Sequence, residues 1–326
     1  MKFRKFADLD WNVSEVGLGC WAIGSEWGEV LEIDARNVLK ISLDKGVNFF
    51  DTADVYGDGR SEKFIGELIK STSEKIYVAT KSGRRLDPHT AQGYNIKNIE
   101  GFIDRSLINL GVDCIDLLQL HCPPSEICPK KETYEMLDEI VQKGKVSHYG
   151  VSVEKVSEAM DAIQFPNVKS IQIIFNIFRQ KPTEIFFKEA AKNNVAIIAR
   201  VPLASGMLTG KMSKDSIFPQ NDHRNYNING DVFDVGETFS GVGFDKGLEA
   251  VEKLKDLLPD NFSLTDLALK WILMHKEVTV VIPGAKNKKQ AESNVLASDK
   301  EEISEIISNI NTIYEDLIKP DVQDRW

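Results

Sequence analysis

Residues 47–83 read VNFFDTADVYGDGRSEKFIGELIKSTSEKIYVATKSG. Two short runs in this stretch, Asn48–Thr52 and Lys75–Thr80, are apolar and rich in aromatic or β-branched residues, and both have strand length. Between them, Arg60–Ser71 places Phe64, Ile65, Leu68 and Ile69 on one side of a helical wheel, with charges on the other. Strand, helix, strand in this order is a βαβ unit, which demands a parallel sheet. Both strands close on ionisable residues, the first at Asp51 and the second at Lys81, and Tyr56 lies in the loop after the first.

The same alternation extends in both directions. Further strand candidates are Val16–Gly19, Ile115–Leu120, Ser147–Ser152, Ser170–Phe175, Val195–Val201 and Val278–Ile282. Helix candidates between them are Ala35–Lys45, Ile96–Leu110, Lys131–Lys143, Val153–Ile163, Thr183–Asn193 and Leu264–Lys276. Asn287–Leu296 follows the last strand, and Ile303–Ile318 reads as a C-terminal amphipathic helix. Eight units in one chain favour a closed (β/α)₈ TIM barrel over an open doubly wound sheet. The segment before Val16 reads as a hairpin capping the barrel floor. No linker divides residues 1–326, so a single domain is expected.

Composition narrows the function classes. The formal net charge of −10 lacks the basic face that nucleic acid requires. No apolar run spans a bilayer and the N-terminus lacks a signal-peptide core, so a cytoplasmic protein is expected. Cys20, Cys114, Cys122 and Cys128 form no CxxC pair and read as reduced packing thiols, with no metal expected.

Active sites of such barrels lie at the C-terminal strand ends. Asp51, Lys81 and His121 end three consecutive strands, with Tyr56 in a loop; the next two strands bring Ser152 and Gln172. A structural use would leave two charges and two titratable groups at one mouth without work. Lys81 beside a tyrosine favours phenolate, which would bring the Tyr56 pKa down toward neutral. Asp51 could pair with Lys81, and His121 could orient a carbonyl. Acyl and phosphoryl nucleophiles are absent from the set. Proton delivery to a carbonyl fits it, with hydride from a cofactor.

The strings FDTADVYGDGRSE, VATKSG, DLLQLHCP, YGVS, IQIIFN, VPLASGMLTGK and VIPGAKNKKQAESN, in this order and spacing, resemble the aldo-keto reductases along the whole chain, in particular bacterial general-stress-type members and potassium-channel β subunits. The resemblance implies NADPH-dependent reduction of aldehydes or ketones by a tetrad of Asp51, Tyr56, Lys81 and His121, with Tyr56 as general acid. It implies that Ser152 and Gln172 hold the nicotinamide carboxamide, and that the backbone of Gly19, Cys20 and Trp21 approaches the ring. Pro202, Leu203, Ala204, Ser205, Gly206, Thr209 and Lys211 would run along the pyrophosphate. Gly284, Lys286, Gln290 and Asn294 would cradle the adenosine end. Two positions depart from the family pattern. Val153 stands where asparagine often follows the serine, and Arg200 stands where an aromatic often stacks on the nicotinamide; a guanidinium can also stack on a ring.

Weaker signals remain. Trp21 and Trp27 follow the first strand and are expected to wall the substrate pocket. Met212–Gly243 is long and rich in Asn, Asp and Gly. It is expected to dock poorly alone and to order on NADPH as a clamp, with Arg224 on the phosphates and His223 on the surface. Lys288 and Lys289 read equally as solvated charges. Two other classes stay open: an NADPH-binding regulatory module with little turnover, and a non-redox barrel lyase or isomerase.

Overall fold

The computed structural model describes residues 1–24 and 26–326. A hairpin of β1 (Phe3–Lys5) and β2 (Asn12–Ser14) precedes eight parallel strands. These are β3 (Leu18–Gly19), β4 (Phe49–Asp51), β5 (Tyr77–Ser82), β6 (Ile115–His121), β7 (Val146–Ser152), β8 (Val168–Ile174), β9 (Ala196–Arg200) and β10 (Val278–Val281). Each pairs with its sequence neighbour. Bridges Val16↔Val281 and Gly19↔Gly284 join the first strand to the last and close the ring, so the expected (β/α)₈ barrel is the observed one. Glycine is needed at this seam, because a Cβ on Gly19 would lie 2.7 Å from the Ile282 carbonyl oxygen.

The helices are α1 (Trp21–Gly24), α2 (Glu32–Asp44), α3 (Arg60–Ser71), α4 (Ile96–Leu110), α5 (Lys131–Gln142), α6 (Val156–Ala162), α7 (Phe186–Lys192), α8 (His223–Tyr226), α9 (Phe244–Lys255), α10 (Leu264–Leu273), α11 (Lys288–Leu296), α12 (Ile307–Ile313) and α13 (Lys319–Val322). Several are shorter than their apolar periodicity suggests. The α6 helix starts at Val156 because the Glu158 carboxylate accepts from the backbone N–H groups of Glu154 and Lys155, capping the turn there. The α9 helix was not among the sequence candidates. The single C-terminal helix expected over Ile303–Ile318 is instead α12, a π turn over Tyr314–Ile318, and α13. Pro320, in the first turn of α13, has no N–H to continue the α-helical ladder.

Strand alternation sorts the barrel into two apolar layers. Val78, Leu118, Ile197 and Val281 face the helices. Phe49, Tyr77, Ala79, Leu117, Ala196, Ile198 and Val280 face inward and are plugged from below by Phe6 and Val13 of the hairpin. Trp11 stacks on Tyr77 with ring centroids 4.6 Å apart. Following the inward face upward in steps of two, Phe49 leads to Asp51, Ala79 to Lys81, Leu117 to Gln119 and then His121, and Ile198 to Arg200. The barrel interior is therefore apolar below and polar at its C-terminal mouth.

The long connection over 212–243 packs over that mouth as a strap. Its expected shortage of docking surface is not observed. Phe239 is buried, Phe218 stacks on it in a tilted pair, and Phe233 packs near Trp21 and His223. The polar residues work internally: Asn227 Oδ1 accepts from the N–H groups of Val232 and Phe233, and its Nδ2 donates to Thr238. At the C-terminus, the Trp326 indole donates to Asp234 and stacks on the Arg179 guanidinium, pinning the strap from outside.

Candidate active site

Lys81 is fully buried. Its Nζ donates to Asp51 Oδ1 at 2.6 Å, to the Thr52 carbonyl at 2.8 Å and to Tyr56 Oη at 3.3 Å. Burial opposes the lysine charge, but Asp51 and Tyr56 outweigh it and raise the Lys81 pKa. The Tyr56 and His121 rings meet edge to face, 5.9 Å apart, and Trp21 lies parallel to Tyr56 at 6.0 Å. The structure thus gathers the four expected tetrad residues around one point.

The expected lowering of the Tyr56 pKa does not occur. Lys81 does pull it down, but burial dominates and pushes the phenol up to about 12. A phenolate in this desolvated mouth would lose more hydration than one ammonium, itself paired with Asp51, returns. His121 is held well below its ordinary pKa, first by burial and then by the Arg84, Lys81 and Arg200 charges. It is therefore neutral at physiological pH. Its Nδ1 is buried with no partner among the described residues.

The remaining expected residues fall into three groups. Ser152 and Gln172 stand on adjacent strands as register partners. Ser152 Oγ lies 3.7 Å from Cys122 Sγ, and Gln172 Nε2 donates to Asp51 Oδ2 at 2.7 Å. Gly19, Cys20 and Trp21 line the mouth through the first strand exit, where the Cys20 N–H donates to the Asp51 carbonyl. Pro202, Leu203, Ala204, Ser205 and Gly206 make a turn in which Val201, Ala204, Ser205 and Gly206 all adopt left-handed φ, between 45° and 93°. For Val201 such a backbone is strained, a cost that accumulates at functional sites. The Thr209 hydroxyl is turned back onto the Gly206 carbonyl, and Lys211 is exposed just past the turn.

The third group brackets the exit of β10. The Lys286 backbone N–H donates to Gln290 Oε1, Asn294 Nδ2 donates to the Gly284 carbonyl, and Lys286 Nζ donates to the Trp27 carbonyl. The Lys286 pKa is lowered, by burial first and by the Arg224 charge second. Arg224 is held bidentately by Asp222 and lies between the Trp27 and Phe218 rings. Two cations close enough to feel each other's charge, with one carboxylate paired to Arg224, form a local positive spot in a chain of net charge −10, and such a spot suits a phosphate. His223 is not on the surface as expected. It is fully buried, edge-on to Trp27 with ring centroids 4.4 Å apart and tilted against Trp21 at 4.7 Å, with burial pushing its pKa down to about 4.

Four residues that sequence reasoning passed over join the site. Arg84 donates to both Glu154 and Glu237. Arg200, expected beside the nicotinamide, is engaged by the Val153 carbonyl, Cys122 Sγ and the Glu237 carboxylate. Val153 therefore contributes through its backbone rather than its side chain. Gln119 donates to Asp51 Oδ2 at 3.1 Å. Gln119 was legible, being two residues before His121 on the same face; Glu237 sits on an irregular strap and was not. Ligand atoms of Cys122, Glu154 and Glu237 lie within 4.8 Å of one another, the spacing of a metal site. Two guanidinium groups already occupy those acceptors, so the cluster reads as an ion-pair network.

Glu237 fastens the strap to the barrel. Burial opposes its charge, but Arg84 and Arg200 overcome this and hold its pKa at about 2. Glu237→Ala is expected to destabilise the fold by about 3–5 kcal/mol, the scale of breaking a buried pair, as measured by denaturant unfolding. Because the folded pKa is depressed, this stabilisation is complete above the ordinary value of 4.5 and is lost as pH falls toward 2. Proteolysis within 212–243 is expected to accelerate over that window in the wild type. In the variant it should be fast throughout.

The aldo/keto reductase family model matches residues 15–315. This chain belongs to the aldo/keto reductase family. It is 31% identical over 329 residues to the aldo-keto reductase YhdN of Bacillus subtilis, covering 99% of this chain and 96% of that one. It is 30% identical over 292 residues to the aldo-keto reductase yakc of Schizosaccharomyces pombe, whose name carries NADP(+), covering 86% of this chain and 83% of that one. Among solved structures it superposes on a glycerol dehydrogenase from Gluconobacter oxydans with TM-score 0.77 and 27% identity, covering 98% and 96% of the two chains. Membership makes this aldo/keto reductase an oxidoreductase of a family that uses nicotinamide cofactors. Among the described residues, no helix is long and apolar enough to cross a membrane.

Proposed function

We propose that this chain reduces aldehydes or ketones to alcohols with NADPH, Tyr56 acting as general acid. The observation that carries the reading is the Tyr56 hydroxyl, backed by the buried Lys81–Asp51 pair and facing a neutral His121. A reduced nicotinamide bound at this mouth supplies the hydride. The residues do the rest. His121 and Tyr56 hold the carbonyl oxygen, and Tyr56 Oη delivers the proton as charge develops there. Lys81 then stabilises the phenolate left behind, and Trp21 and Trp27 form the apolar wall that keeps water from the reacting carbonyl.

On this reading Ser152 and Gln172 take the carboxamide, and the left-handed turn from Pro202 to Gly206, with Thr209 and Lys211, follows the pyrophosphate. Gly284, Lys286, Gln290 and Asn294 take the adenosine end, and Arg224 adds a second cation from the strap. Arg200 braces the nicotinamide pocket through Val153 and Glu237. NADPH consumption across a panel of sugars, aromatic aldehydes, ketoaldehydes and steroids tests the reading. No turnover with any of them, despite cofactor binding, would favour a regulatory nucleotide-binding module.

Lys286→Ala is expected to weaken NADPH about tenfold or more while leaving NADH nearly unchanged, because a charged hydrogen bond to the 2′-phosphate contributes roughly 1.5–3 kcal/mol. Dissociation constants for both cofactors check this. Equal affinities in the wild type would remove the phosphate assignment.

A further inference from the structure

We propose that Gln119 is a positioning residue that locks the Gln172 amide in the orientation Asp51 imposes by taking its second N–H, an inference that rests on Gln172 meeting the nicotinamide carboxamide. Gln119 is fully buried inside the barrel, and no tetrad role accounts for it. Its Nε2 donates to Asp51 Oδ2 at 3.1 Å, and its Oε1 accepts from Gln172 Nε2 at 3.3 Å. Gln172 Nε2 also donates to Asp51 Oδ2 at 2.7 Å.

An ionised carboxylate only accepts, so both amides must turn their NH₂ groups toward Asp51. Once Gln119 is so turned, its Oε1 is the acceptor for the second N–H of Gln172. Both donors of Gln172 are then consumed inside the barrel. Its Oε1 remains, and no described residue uses it. An acceptor with no donor beside it complements the NH₂ of a carboxamide and repels its oxygen. Gln119 thereby selects one face of the incoming carboxamide without touching it.

Strand register makes the contact possible. Gln119 on β6 and Gln172 on β8 are separated by β7, whose residue opposite Gln119 is Gly150. No side chain stands between the two amides, and a Cβ at Gly150 would lie 2.4 Å from the Ser170 carbonyl oxygen. Asp51 Oδ2 can accept from both amides, so satisfaction of Asp51 accounts for the two bonds to it. It does not account for the bond from Gln172 Nε2 to Gln119 Oε1, which has a use if it fixes the Gln172 amide.

The test is a double-mutant cycle on the full chain, reading NADP⁺ and NADPH affinity by fluorescence titration. Gln119→Leu is expected to weaken both cofactors about tenfold, the scale of one hydrogen bond. Gln172→Leu should weaken them at least as much. The double variant should be no weaker than Gln172→Leu alone, because Gln119 acts through Gln172. Wild-type affinity in Gln119→Leu, or effects that multiply in the double variant, would overturn the inference while leaving the cofactor reading intact. A wild type with no affinity for either nucleotide would sink both. Gln119→Glu, of nearly the same shape, covers a failure of the leucine variant to fold. Its carboxylate repels Asp51 at neutral pH, and protonation restores a donor. NADP⁺ affinity in this variant should therefore recover as pH falls, whereas a pH-independent affinity would overturn the inference.

Discussion

Tyr56→Phe is expected to lower carbonyl reduction by about 10²–10⁴, the usual contribution of a positioned general acid, while leaving NADPH affinity nearly unchanged. The substitution removes one oxygen and keeps the ring, so the edge-to-face contact with His121 and the parallel contact with Trp21 survive. Lys81 keeps Asp51 Oδ1 and the Thr52 carbonyl as acceptors, so the buried ammonium is not orphaned. Steady-state kinetics with cofactor titration separate the two effects. The pH dependence has a definite sign. With the phenol pushed up to about 12, Tyr56 is protonated throughout the neutral range. Reduction, which needs the proton, should hold steady there and fall only at alkaline pH. Alcohol oxidation, which needs a base at the same oxygen, should rise with pH. Near-normal turnover in Tyr56→Phe would remove the assignment.

Lys81→Met is expected to abolish measurable turnover and to cost about 3–5 kcal/mol of stability, because it leaves a buried carboxylate without its counter-ion. Asp51 would retain only the two glutamine amides on Oδ2. The side chains of the pair are 1% and 3% exposed, so water cannot replace the lost ammonium. Adding Asp51→Asn to Lys81→Met should recover much of the stability, since no charge is then left unpaired, and none of the activity. Denaturant unfolding and turnover on the three variants check this. A stable and active Lys81→Met protein would mean that the pair serves neither purpose.

The parts of this protein legible in its sequence are those governed by local rules. A strand shows alternate residues to opposite sides, so FFD, YVATKS and IDLLQLH by themselves place Asp51, Lys81 and His121 inward at the upper end of the barrel. The same rule reaches Gln119. Helix boundaries were less legible, because caps such as Glu158 and breaks such as that at Pro320 override the apolar period.

The order of the strap is not legible in the sequence because its stabilising contacts are not local. Asp222, His223, Asn227 and Glu237 look like polar loop residues in sequence. They become buried only when the strap meets Trp21, Trp27, Arg84 and Arg200 from distant parts of the chain. The direction of the Tyr56 pKa shift is hidden in the sequence for a related reason. The Lys81 charge can be read from the sequence, but the burial that outweighs it cannot. The barrel, the family and the strand-end residues that meet at its mouth are legible in the sequence, because strand period and crossover handedness act over a few residues at a time. How buried that mouth is, and which distant charges pair across it, follow only from the folded chain, because desolvation and ion pairing depend on where segments as far apart as Arg84 and Glu237 come to rest.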